Sequence, residues 1–164
     1  MLNDKIPGAP NFRYKEFIKS MTAIRYGINN IPTNETIWKN IENLAVNVLQ
    51  PIRNEFGRIY ISSGYRSPKL NIKIGGSSTS NHCRGEAADI EPLESGITLL
   101  DIFNFIVDKL DFRWVICEYF KNGWIHIDYR EDNNIKGIKL KDENHNYKIV
   151  TKEYINNLYK DKFQ

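Results

Sequence analysis

Between Thr33 and Gly57, seven apolar residues recur at helical spacing: Ile37, Ile41, Leu44, Ala45, Val48, Leu49 and Ile52. A helix with one such stripe must lay it against another element to keep it from water. Thr33 or Asn34 can cap its start and Gly57 its end, and Pro51 predicts a kink in its last turns. Directly after Gly57 the period changes. "RIYISSGYRS" reads as a strand running into a turn, and "AADIEP" as a short strand. "TLLDIFNFIVDKL" is an amphipathic helix. "RWVICEYF" and "WIHIDYR" are strands separated by "KNG".

The rest of the chain fills in around this frame. Residues 1–13 read as an extended lead-in, because Pro7 and Pro10 discourage helix. "RYKEFIKSMTAIRYG" predicts a short helix ending at Gly27. Residues 130–164 predict a peripheral hairpin, "GIKLKDENHNYKIV", and a terminal helix, "TKEYINNLYKDKF". Helices come first, then an antiparallel sheet with one helix inserted. This order is α+β, with N-terminal helices packed on a small antiparallel sheet, and lacks the strict alternation of a parallel sheet. With no repeat and no long linker, residues 1–164 predict one domain.

Composition removes several classes of function. A chain of 164 residues buries a core without disulfide staples, and two cysteines, Cys83 and Cys117, make no disulfide framework. Each sits beside a candidate functional residue and could be a ligand, but both read first as small buried thiols. The net charge of +3 favours an anionic surface only mildly. The basic residues are scattered rather than interleaved with aromatics on one surface, so no nucleic-acid partner is expected. No run of about 18 apolar residues exists, so no membrane span is expected, and the N-terminus lacks the apolar stretch of a signal peptide.

What remains to explain is "STSNHCRGEAADIEP", Ser78 to Pro92, where His82 and Asp89 stand seven residues apart with small residues between them. A polar loop running into a strand is one reading. A metal site is the sharper one, since a catalytic zinc takes three protein ligands and keeps one position open. The chain offers two further histidines, His126 and His145. His145 lies in the polar loop "DENHN" and reads as a solvated residue. His126 lies in "WIHIDY", where alternation puts Trp124, His126 and Asp128 on one face and the two isoleucines on the other. A three-residue loop of Lys121, Asn122 and Gly123 would pair Phe120 with Trp124 and set Glu118 opposite His126. A two-residue Asn122-Gly123 loop would set Tyr119 there instead. Upstream, Arg66 follows a strand end, where its fork suits a carboxylate or a developing oxyanion. Ser80 precedes His82 by two residues, placed either to bind substrate or to cap the loop.

The run "SGYRSPKLN", the double glycine at Gly75-Gly76, the Ser80-x-His82 pair, the spacing from His82 to Asp89 and the closing Trp124-x-His126 occur in one order. Together they resemble the zinc D-alanyl-D-alanine carboxypeptidases and their phage-borne relatives. That fold group also contains lysostaphin-like endopeptidases and the zinc-binding signalling domain of hedgehog. The resemblance runs from about Phe12 to Tyr129. It implies that His82, Asp89 and His126 bind Zn2+, that Arg66 stabilises the oxyanion or anchors substrate, and that Ser80 lies near the substrate. Many relatives carry an acidic base three residues before the last histidine. Here that residue is Gly123. In the phage-related branch the acid lies earlier, in a segment resembling "CEYF", which points to Glu118 as catalytic base.

The implied activity is hydrolysis of an amide bond in peptidoglycan stem peptides, by a carboxypeptidase or an endolysin-type endopeptidase. Such a protein would be made in the cytoplasm and act on the wall after lysis or delivery, with other virion proteins as partners if it is a virion component. The alternative is a non-catalytic wall-binding or virion module that retains the fold.

Overall fold

The helical stripe that ends at Gly57 lies on a six-stranded sheet, in a computed structural model that describes residues 1–119 and 122–160. The chain enters through a small antiparallel ribbon, β1 (Lys5–Ile6) and β2 (Ala9–Arg13). The lead-in is therefore extended, but it is not loose: Ile6, Ala9 and Phe12 are buried in the main core.

The helix predicted from Arg13 to Gly27 is two helices, α1 (Tyr14–Ile18) and α2 (Met21–Arg25). The break is local chemistry. Lys19 is extended, and the Ser20 hydroxyl accepts the Ala23 N–H, which starts a new helix. The long helix begins where Asn34 accepts the Thr36 N–H. It runs through α3 (Glu35–Leu44), a π-helical stretch (Ala45–Leu49) and α4 (Gln50–Phe56), and ends at Gly57 with φ +79°. The π-helical stretch sits directly before Pro51, whose missing N–H spoils the ordinary ladder there. Ile41, Leu44, Ala45, Val48, Leu49 and Ile52 are all at most 1% exposed, and Ile37 at the start of the stripe is half-buried against the same core.

β3 (Ile59–Ser63) follows, then α5 (Pro68–Lys73), in a region that the sequence presents as turn-rich throughout. Its signals were there: Ser67 accepts the Leu70 N–H as N-cap, and Pro68 occupies the first turn. A 3₁₀ turn (Asn81–Arg84) leads into β4 (Ala87–Pro92). Next come α6 (Leu99–Lys109), capped by Thr98 with Asp101, then β5 (Trp114–Glu118) and β6 (Trp124–Asp128). β7 (Gly137–Lys141), β8 (Tyr147–Ile149) and α7 (Lys152–Tyr159) complete the described chain.

The sheet order is β3-β4-β6-β5-β7-β8. It is mixed rather than purely antiparallel, because β7 runs parallel to β5. Alternation along these strands sorts the side chains. Ala88, Ile90, Val115, Cys117, Ile125, Ile127 and Leu140 face the core with Ile102, Phe103 and Ile106 of α6. Asp89, Trp114, Ile116, Glu118, Trp124, His126, Asp128, Lys139 and Lys141 line the opposite side, which opens as a cleft of about 910 Å³. Every residue that carries the chemistry below belongs to that second face or to the loops at its rim.

Candidate metal centre

The β4–β6 register sets Asp89 directly opposite His126. Such pairs hold their side chains together on one face. His82 reaches the same point from the 3₁₀ turn. Gly85 makes that turn possible in two ways. It has φ +72°, and a Cβ there would come 2.7 Å from the Ile37 carbonyl oxygen. His82 Nε2 lies 3.3 Å from Asp89 Oδ1, and His126 Nδ1 lies 2.9 Å from the same oxygen. The two ring nitrogens are 3.2 Å apart. One donor atom from each residue falls within 4.8 Å of the others. His82 and Asp89 are buried, and His126 is largely so.

Both imidazoles are held at their remote nitrogens. His82 Nδ1–H donates to the Gly64 carbonyl at 2.7 Å. His126 Nε2 lies 3.5 Å from Asp128 Oδ2. A carbonyl or carboxylate behind a ligating histidine fixes its tautomer and ring orientation, which leaves the front nitrogen as an acceptor. Two neutral imidazole nitrogens and one carboxylate oxygen, converging and supported in this way, fit the donor preferences of Zn2+.

The charges reflect the crowding. Burial alone would raise the Asp89 carboxyl, but the two imidazoles outweigh it and hold it well below the usual carboxylate range. Burial lowers His82, partly offset by Asp89. Burial also pulls His126 down, but its hydrogen bonds to Asp128 and Asp89 dominate and push it up to about 9.

Arg66 Nη2 donates to Asp89 Oδ2 at 2.9 Å, and its Nε donates to Ser63 Oγ at 2.9 Å. Among the described residues its Nη1 has no protein partner, and Arg66 lines the cleft. Ser80 also lines the cleft, at the N-cap of the 3₁₀ turn, with no side-chain capping bond.

Glu118 is placed differently from either register expected of the hairpin. It pairs with Trp124, and Ile116 lies opposite His126. The connection is longer than two or three residues, and Phe120 and Lys121, assigned to the strand end and the loop, lie outside the described residues. The shift is two residues, so the face is kept: Glu118 is a diagonal neighbour of His126 and lines the same cleft. Its Oε2 accepts from Lys141 Nζ at 2.9 Å.

Asp128 received no role from the sequence. It is 2% exposed and accepts from Asn81 Nδ2 at 2.7 Å and from the Trp114 N–H at 3.0 Å. The signal was the alternation of "WIHID", which puts it on the face of His126. The acids nearer His82 in sequence are used elsewhere. Glu86 pairs with Arg130 at 2.7 Å, and Glu91 lies opposite Tyr60 on β3. Cys83 is half-buried and Cys117 buried; neither belongs to the donor cluster. His145 lies in the β7–β8 loop against the Tyr119 hydroxyl. No helix among the described residues is long and apolar enough to cross a membrane.

No curated protein matches the chain. The family model described as Peptidase M15 matches residues 10–128, from within β2 through the last residue of β6. That span contains His82, Asp89, His126, Arg66 and Glu118, and members of the family are in general zinc-dependent peptidases. The match covers well over half of the sequence, and on it the chain belongs to the peptidase M15 family.

Proposed function

We propose that this protein is a zinc-dependent, phage-associated peptidase that hydrolyses an amide bond in the stem peptides of peptidoglycan. The observation that carries the reading is the convergence of His82, Asp89 and His126 at one end of a cleft that also presents Glu118 and Arg66. Family membership supports metallopeptidase chemistry, and the position of Glu118 on β5 supports the phage-related branch. Zn2+ held by the three residues would polarise the scissile carbonyl and bring the pKa of a bound water to roughly 7.

The chain's own groups do the rest. Glu118 keeps Oε2 on Lys141, while Oε1 has no partner among the described residues and can take the proton of the attacking water. It then returns that proton to the leaving amine. Arg66 is anchored through Nε and Nη2, which leaves Nη1 to meet the developing oxyanion or a substrate carboxylate. Ser80 and the loop around Gly75 and Gly76 bound the cleft on the substrate side.

A second reading is a wall-binding or virion module without catalysis. The Lys141–Glu118 ion pair favours it, since it neutralises the acid assigned as base. One experiment separates the two. Purified peptidoglycan is digested with and without chelator, and the fragments are weighed by mass spectrometry. Chelator-sensitive release of stem fragments supports the peptidase and identifies the bond. Stoichiometric zinc with intact stems overturns it in favour of the second reading.

A further inference from the structure

The segment matched by the family model ends at Asp128, but the cleft does not. β7 lies beyond that segment and adds Lys139 and Lys141 to the cleft wall. Five arginine and lysine side chains line the cleft against three carboxylates, at Asp89, Glu118 and Asp128. Arg66, Lys141 and Arg84 each lie within 4.0 Å of a carboxylate. Lys139 and Arg113 have no carboxylate partner among the described residues; the Arg113 Nε is buried, whereas Lys139 is half-buried on the wall that β7 adds.

Its position is well fixed. The Lys139 ammonium lies 3.8 Å from the centroid of the Trp114 ring, a cation–π contact. The indole in turn rests on Gly137, where an added Cβ would come 2.3 Å from the ring. The aromatic face orients the lysine without neutralising its charge.

The sheet register sets how far the Lys139 backbone is from that of His126. Asp89, His126, Ile116 and Lys139 form one row across four adjacent strands. Lys139 is two strands from His126, or roughly 10 Å at about 4.8 Å per strand. An extended peptide advances about 3.3 Å per residue, so this distance spans about three residues of substrate.

We propose that Lys139, backed by Trp114, is a specificity residue that selects stem peptides with a free carboxylate a few residues from the scissile bond, over peptides in which that carboxylate is amidated. The inference rests on the peptidase reading above, and it assigns the segment after Asp128 a part in choosing the substrate.

Binding tests it independently of turnover. Synthetic stem tetrapeptides are titrated into the full chain, with and without added zinc, and followed by NMR. One peptide carries all its carboxylates free. Each of the others has one carboxylate amidated: that of the γ-linked D-glutamate, the side-chain carboxylate of diaminopimelate, or the C-terminus. We expect one amidation to weaken binding about tenfold. Lys139→Gln should abolish that penalty. Lys148→Gln, on the opposite face of the sheet and paired with Asp142, should leave it intact. The proposal is overturned if no amidation matters, if no peptide binds, or if every penalty survives Lys139→Gln. Chelator-sensitive hydrolysis with no such penalty would leave the peptidase reading standing and remove this one. A Lys139-dependent penalty without any hydrolysis would overturn the peptidase reading and leave Lys139 as a carboxylate-binding residue of a non-catalytic cleft.

Discussion

Asp128 Oδ2 lies 3.5 Å from His126 Nε2, on the side of the ring away from Asp89, and the same oxygen accepts a hydrogen bond from Asn81 beside His82. One buried carboxylate thus braces both histidines of the donor cluster, one through its ring and the other through the turn that carries it.

Asp128→Asn should therefore weaken zinc binding about 10- to 100-fold, as loss of such outer partners does. The amide can still accept the Trp114 N–H and hold the strand end, so the fold should survive. Competition against a chromophoric chelator measures the affinity, and circular dichroism checks the fold. Unchanged affinity would show that Asp128 does not brace the centre.

Glu118→Gln tests the base. It keeps the size of the side chain and a hydrogen-bond acceptor for Lys141. Peptide hydrolysis should fall by about 10²–10⁴ while zinc content stays stoichiometric. Full activity in this variant would exclude Glu118 as the base.

Metal uptake should depend on pH through His126. In the metal-free protein its hydrogen bonds to Asp128 and Asp89 hold its pKa near 9 despite burial. Below that pH, binding at Nδ1 must displace a proton, so affinity falls as pH falls, by about tenfold per unit. His82 is shifted downward and adds no such competition at neutral pH. Calorimetry at pH 7.5 in buffers of different ionisation enthalpy should report about one proton released from the protein per zinc. Heats that do not vary with buffer would refute this account.

Gly64→Ala should damage the centre from behind. A Cβ there would lie 2.4 Å from the Phe17 carbonyl oxygen, and the clash is with backbone. Gly64 also supplies the carbonyl that receives His82 Nδ1–H. We expect more than about 2 kcal/mol of lost stability, together with weaker zinc binding. Zinc should restore part of the melting temperature, since a ligand of the native state stabilises it by mass action.

The parts of this molecule that were legible in its sequence are those in which one residue's neighbours fix its role. The stripe from Ile37 to Ile52 declared the main helix, and the amphipathic run "TLLDIFNFIVDKL" declared α6. The spacing of His82 and Asp89, with glycine between them, announced a turn that brings both to one point. Features set by long-range pairing were not legible. The Glu118 register depends on the length of a connection that single-residue turn rules do not determine, and it came out two residues away from the expectation. The parallel pairing of β7 with β5 has no local signature at all. Asp128 lay in view on the face of His126, but its role became visible only once Asn81 and Trp114 were seen to converge on it.

That parallel pairing bears on where this protein can be cut. β5 is bordered by β6 on one side and by β7 on the other. A chain trimmed to the family-matched segment would leave the backbone of Trp114–Glu118 as an open sheet edge, a ready template for pairing with other chains. It would also uncover the Trp114 indole and strip Glu118 of Lys141. The segment after Asp128 therefore acts as the selvedge of the sheet, and a minimal fragment that keeps the sheet closed has to include it.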